Sequence, residues 1–109
     1  MKKPTRYAAL VRRHPRLGLA HDLVTAVAED AGPLDAPTRA LLKLAMSVGA
    51  GLESGVRRHA RGAARAGASA AAIEQTLLLG LTTLGFPRTL WALKVTQAQS
   101  QSNTRRRKT

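Results

Sequence analysis

Residues 51–67 read GLESGVRRHARGAARAG, and this stretch predicts how the rest of the chain is organised. At helical spacing, one face combines small or apolar side chains with a single histidine; its members are Leu52, Val56, His59, Ala60 and Ala63. The arginines fall on the other faces, at Arg57, Arg58, Arg61 and Arg65. A glycine inside a helix costs about 1 kcal/mol relative to alanine. The glycines of this stretch therefore predict that another backbone packs closely against it.

The segments before this stretch also show helical periodicity. Residues 4–13 predict a short helix that Pro15 ends. Residues 16–31 repeat apolar side chains with a period of 3.6, and Gly32-Pro33 stops them. Asp35 is a good N-cap for a third helix, which has Pro37 in its first turn.

The segments after it complete the pattern. Gly67 is predicted to end the helix of residues 51–67 as its C′ residue, and Ser69 to cap the next one. Residues 73–84 are apolar on nearly every side, which predicts that this helix is the central and most buried one. Pro87 starts a last helix. Since no alternation typical of strands occurs, the sequence predicts an all-α fold of five or six helices.

The length of 109 residues favours one domain. We predict a basic N-terminal segment at 1–15, a helical domain at 16–98 and a disordered basic tail at 99–109, where the composition becomes polar. The core is rich in alanine and therefore thin, which favours burial of further surface between copies of the chain.

The formal charge of +12 is concentrated at the two ends. Seven of the 18 basic residues lie nearest the two ends, namely Lys2, Lys3, Arg6, Arg105, Arg106, Arg107 and Lys108. Without these seven, eleven basic residues face six acidic ones, a net charge of +5. We expect the tails to provide solubility and weak, nonspecific nucleic-acid binding. The arginines of 57–65 are interpreted as a solvated face or a face between subunits, with anion binding as the alternative.

Several classes of site are excluded or disfavoured by composition. The chain has no cysteine, which excludes disulfides, thiolate catalysis and cysteine-ligated metal. His14, His21 and His59 lack a metal-ligand spacing, and no phosphate-binding loop is present, so neither a metal nor a cofactor is predicted. No signal peptide or membrane-length apolar run is evident, so a cytoplasmic protein is expected.

Four short motifs occur in an order that resembles a known superfamily. They are LDAPTRAL at 34–41, HARGAARAGA at 59–68, Ile73-Glu74, and Gly85-Phe86-Pro87. In order and spacing they resemble the carboxymuconolactone decarboxylase and AhpD-like alkylhydroperoxidase superfamily, over roughly residues 17–93. The resemblance implies a small all-α fold that assembles into homotrimers or homohexamers.

The sequence departs from that superfamily at the residues that carry its chemistry. Leu52 and Gly55 stand where the peroxidase branch has the two cysteines of its C-x-x-C motif. Gly55 also takes the place of a glutamate of the decarboxylase branch, and Leu79 and Thr83 replace a later histidine and tyrosine. Of these residues the chain keeps His59, so it is a divergent member, and thiol peroxidase activity is not expected.

Two functions remain open at this point. In the first, the chain is a decarboxylase-like lyase, in which His59 is a cofactor-free acid or base and Arg57 or Arg58 binds the carboxylate of a small substrate, with Glu53 nearby. In the second, His59 is a core or interface residue, and the chain is a catalytically degenerate oligomeric scaffold or binding protein.

Overall fold

The computed structural model describes the backbone of residues 5–108 and the side chains of residues 5–98. In that part the chain forms six α-helices and no strand, which confirms the predicted all-α class. The helices are α1 (Arg6–Arg13), α2 (Pro15–Asp30), α3 (Ala36–Ala50), α4 (Glu53–Arg65), α5 (Ala70–Leu78) and α6 (Phe86–Lys108).

The chain divides into two compact units, Met1–Pro33 with α1 and α2, and Leu34–Thr109 with α3 to α6. In the first unit, Gly18 is buried because α2 approaches α1 closely there. A Cβ atom at Gly18 would lie 2.9 Å from Cγ1 of Val11. No other residue of α2 is buried, and its apolar side chains Leu23 and Val24 are about two-thirds exposed. The domain limits expected at residues 15 and 98 remain predictions.

The second unit has its core between α3 and α4, with α5 and α6 closing it. Its buried apolar residues come from all four helices; they are Leu44, Val48, Val56, Ala60, Leu77, Ala92 and Val95. Gly51 connects α3 to α4 in the left-handed region, with φ of 71°. The N–H of Leu52 returns to the carbonyl of Ser47, so the end of α3 is closed by backbone hydrogen bonds.

The glycines of α4 differ in what surrounds them. A Cβ atom at Gly55 would lie 2.7 Å from Oγ and 3.1 Å from Cβ of Ser47 on α3. The predicted close packing is therefore confirmed at Gly55. At Gly62 a Cβ atom would meet nothing within 4 Å, so the same prediction is wrong there. The apolar face is confirmed at Val56, Ala60 and Ala63, which are buried.

The helix ends follow the predicted capping residues. Asp35 accepts a hydrogen bond from the N–H of Thr38 at 2.9 Å, and Ser69 accepts one from the N–H of Ala72 at 3.0 Å. Hydrogen bonds from the side chain and then the backbone of Thr38 lower the pKa of the Asp35 carboxyl. Gly67 has φ of 103° directly after α4, as expected of its C′ residue.

The prediction of a long, central helix over residues 73–84 is wrong. α5 ends at Leu78, and residues 79–84 form turns in which the N–H groups of Leu84 and Gly85 bond to the carbonyl of Gly80. Of the residues in α5, Leu77 is the one that is buried. α4, with four buried residues, occupies the central place instead.

The first turn of α6 contacts the C-terminal end of α3 through Arg88. Arg88 donates a hydrogen bond from Nη1 to the carbonyl of Val48 at 3.2 Å, and its guanidinium lies 5.7 Å from the ring centre of Trp91. A cation is favourable at this place because the carbonyls at a helix C-terminus carry partial negative charge. α6 extends to Lys108 and so includes most of the segment expected to be a disordered tail. The disorder of 99–109 remains a prediction, since the side chains there lie outside the described residues.

Candidate functional site

His59 lies on α4, beside α3 and at the edge of the core. Gly51 is the pivot of the helical hairpin that α3 and α4 form, and Lys43 and His59 are each eight residues from it. Ser47 and Gly55, each four residues from the same pivot, are in close contact. This register brings Lys43 of one helix near His59 of the other.

The surroundings of His59 disfavour its charged form. Partial burial is the largest cause, followed by the positive charges of Arg58 and Lys43, and together they lower the pKa of its imidazole below the ordinary value of 6.5. His59 is therefore predominantly neutral at pH 7. A neutral imidazole can accept a proton, so the environment suits a general base at neutral pH.

The other candidate residues from the sequence fall into two groups. Glu53 and Arg57 form an ion pair along α4, with Oε2 and Nη2 3.3 Å apart and both side chains about half exposed. Neither of them is among the charges that shift the pKa of His59. Arg58 does act on His59, although its side chain is exposed. The structure thus associates Arg58, but not Arg57 or Glu53, with the histidine.

Lys43 is the residue that sequence reasoning missed. The sequence contained a usable signal, because residues at equal distances on either side of a tight turn between two helices face each other in a hairpin. Applying that rule to Gly51 pairs position 43 with position 59. The rule depends on knowing where the turn lies, and Leu52 was expected inside the helix, whereas α4 begins at Glu53.

A separate apolar groove of about 350 Å³ lies between α3, α5 and the turn after α5. Its lining consists of Thr38, Leu41, Leu42, Ala45, Val48, Gly49, Thr76, Leu77, Leu79, Gly80, Thr83 and Leu84. His59 is not part of this lining. Viewed along the axis of α3, successive residues are about 100° apart. On this helical wheel, Lys43 lies about 160° from the mean direction of the α3 residues that line the groove. The groove and the surroundings of His59 are therefore on different sides of that helix.

One of the threonine hydroxyls that line the groove is engaged within the chain. The hydroxyl of Thr76 donates to the carbonyl of Ala72 at 2.8 Å.

Among the described residues, no group of three or more histidine, cysteine, aspartate and glutamate side chains is placed to hold a metal ion. No helix in the described part of the chain is long and apolar enough to cross a bilayer.

The chain matches the sequence profile of a known protein family. The sequence profile described as the Carboxymuconolactone decarboxylase family matches residues 19–98, a span that begins within α2 and continues into α6. Neither the curated proteins nor the solved structures contain a match to this chain.

Proposed function

The chain belongs to the carboxymuconolactone decarboxylase family, and from this membership we propose a cofactor-free lyase of the decarboxylase or lactone type that acts on a small carboxylate. His59 is the base of the reaction. The observation that carries the proposal is the environment of His59, which is half-buried beside two cations that keep its imidazole neutral at pH 7. The thiol peroxidase chemistry of related proteins is not part of the proposal, because the chain has no cysteine.

In this proposal each side chain has a defined role. His59 removes a proton from the carbon skeleton of the substrate and later returns it to the product. Loss of carbon dioxide breaks the bond between the carboxylate carbon and the ring, and the electron pair left on the ring takes up one proton from water. Arg58 and Lys43 bind the substrate carboxylate and stabilise negative charge that develops on it. Arg58 suits this role better than Arg57, because Arg57 is already paired with Glu53.

Substrate binding and the protonation of His59 are coupled. A bound carboxylate offsets the positive charges of Arg58 and Lys43, so it raises the pKa of His59 relative to the free protein. The acid limb of kcat/KM reports the free protein, and it should therefore lie below pH 6.5. The rate should be independent of this group at neutral pH.

The test is decarboxylation of carboxymuconolactone, followed by release of carbon dioxide. Loss of a general base typically costs about 10²–10⁴ in rate, so His59→Ala should lose kcat to that extent while circular dichroism remains unchanged. Arg65→Gln, an exposed change on the same helix, is the matched control and should keep full activity. Turnover that His59→Ala leaves unchanged would refute the role of His59.

An alternative function is favoured by a specific observation. The charges that act on His59 are cations, and among the described residues no hydrogen bond to its ring is present. A catalytic histidine is commonly oriented by a third group that bonds to its second nitrogen. If the wild-type protein turns over no lactone, and small carboxylates do not shift the NMR signals of His59, the chain is a catalytically degenerate scaffold or binding protein.

We also propose that the protein acts as a homotrimer or homohexamer in the cytoplasm. Large apolar side chains of the second unit are exposed in the single chain, including Met46 at 70%, Leu79 at 68% and Phe86 at 63%. Three exposed leucines, Leu42, Leu79 and Leu84, line the same groove, and apolar surface that is contiguous in this way is typical of protein interfaces. Light scattering should give three or six chain masses, and a monomer at micromolar concentration would contradict the proposal. Dissociation caused by His59→Ala would make His59 an interface residue.

A further inference from the structure

The exposed side of α4 is an arginine face, formed by Arg57, Arg58, Arg61 and Arg65. All four side chains are exposed, and at about 100° per residue they lie within about 100° of arc. The remaining exposed residues of α4 are Glu53, Ser54 and Ala64, so one carboxylate partly offsets four guanidinium groups. The opposite side of the helix is buried in the core.

The spacing of the arginine face matches a chain of phosphates. The helix rises about 12 Å from Arg57 to Arg65. The four arginines are therefore about 4 Å apart on average along the helix axis. One strand of a nucleic-acid duplex carries one phosphate for about every 3.4 Å of its axis. Each guanidinium can also bind a phosphate through two parallel hydrogen bonds.

Other classes of anionic partner fit the arginine face less well. A membrane-binding helix inserts an apolar side into the bilayer, whereas the apolar residues Val56, Ala60 and Ala63 are buried against other helices. A protein partner usually buries large apolar or aromatic anchors, and the exposed side of α4 has none. The exposed side of α4 also has no aromatic residue, which disfavours binding of single strands, because their bases stack on aromatic side chains.

We propose that the arginine face of α4 binds the phosphate backbone of double-stranded nucleic acid without sequence preference. This function differs from the reaction proposed for His59, although Arg58 belongs to both sites, so its test changes Arg61 and Arg65 instead. It also differs from the expectation that the basic tails carry such binding, because α4 holds its charges in a fixed array on a folded helix.

Fluorescence anisotropy with a labelled 20-base-pair DNA duplex tests the proposal on the full chain between 50 and 200 mM salt. The variant Arg61→Gln/Arg65→Gln leaves the residues near His59 intact. If each arginine neutralises one phosphate, the slope of log K against log salt should fall by about 1.8. Over this range the wild type should then lose about 12-fold more affinity than the variant.

Three matched variants make the result specific. Arg61→Lys/Arg65→Lys keeps the charges and should keep the slope. Arg12→Gln/Arg13→Gln removes two exposed charges of α1 and should change the slope less than the α4 variant. A fourfold glutamine variant of residues 105–108 measures the contribution of the tail.

Several outcomes would overturn the proposal. These are no duplex binding at 50 mM salt, an equal loss of slope in the α1 variant, or binding that the tail variant abolishes and the α4 variant leaves unchanged. Arginine-dependent binding to phosphatidylserine vesicles in the absence of duplex binding would also overturn it, and would assign the face to membranes. Circular dichroism of each variant confirms that it is folded.

Discussion

α4 contains four arginines and one large apolar residue, Val56, whereas the stretch 77–84 contains five leucines. Composition alone would place the leucines inside and α4 at the surface. In the structure α4 contributes four buried residues, and of the five leucines Leu77 alone is buried. Leu79 is 68% exposed, and Leu84 is 40% exposed.

The difference shows that close approach of backbones, rather than hydrophobicity, decides which helix is central here. Gly55 lets α4 approach Ser47 of α3, so small side chains on α4 are covered on every side. After α5 the chain turns at Gly80, and Leu79 and Leu84 of this segment line an open groove. Burial therefore follows the geometry of the hairpin.

The largest effect is expected from truncating a leucine of α3 that packs in the core with α4, whereas truncating a leucine of the stretch 77–84 should have little effect. Leu44→Ala removes a side chain that is fully buried against α4, and it should lower the free energy of unfolding by about 2–5 kcal/mol. Leu79→Ala should change it by less than about 0.5 kcal/mol in the single chain. Urea denaturation measures both. If the loss for Leu79→Ala grows with protein concentration, a second copy covers Leu79.

An intermediate effect is expected at the two glycines of α4. Both gain about 1 kcal/mol of helix propensity on change to alanine, but at Gly55 the new methyl group collides with Ser47. Overpacking of this kind costs about 1–3 kcal/mol. Gly55→Ala should therefore be less stable than Gly62→Ala by about that amount in thermal or urea unfolding. Equal stabilities would mean that close approach at Gly55 does not hold α4 in place.

The smallest effect concerns the pH dependence that the hairpin imposes on His59. Because its pKa in the folded chain lies below 6.5, the unfolded chain takes up a proton first as the pH falls. The contribution of His59 to stability is thus complete above about pH 6.5 and is lost as the pH falls through the folded pKa. His59→Gln should weaken the loss of stability between pH 7 and pH 5.

NMR titration of His59 can measure how much the charge of Lys43 contributes to the lowered pKa of the imidazole. Lys43→Gln removes one of the cations, so the pKa of His59 should rise. Lys94→Gln, an exposed change on α6, is the control. An unchanged pKa in Lys43→Gln would show that the hairpin does not bring the lysine charge to the histidine.

Local signals in the sequence were sufficient for the helices and their caps. Asp35 and Ser69 cap because a short polar side chain can reach the free N–H groups of the first turn, and Gly67 ends α4 because it tolerates positive φ. Each of these effects depends on a few neighbouring residues, so the sequence alone contains the information. The order of the motifs likewise identified the family that the profile confirms.

Tertiary structure decided which helix is central and what surrounds His59. The leucines of 77–84 satisfy a helical pattern, but a pattern cannot show that Gly80 accepts hydrogen bonds that end the helix in turns. Similarly, the sequence determined that His59 lies on the inner face of α4. The effect of the Lys43 charge on the pKa of His59 depends on the register of the α3–α4 hairpin. The turn at Gly51 and the contact of Ser47 with Gly55 determine that register. Such contacts join residues that are far apart in the chain, and only their packing in three dimensions brings them together.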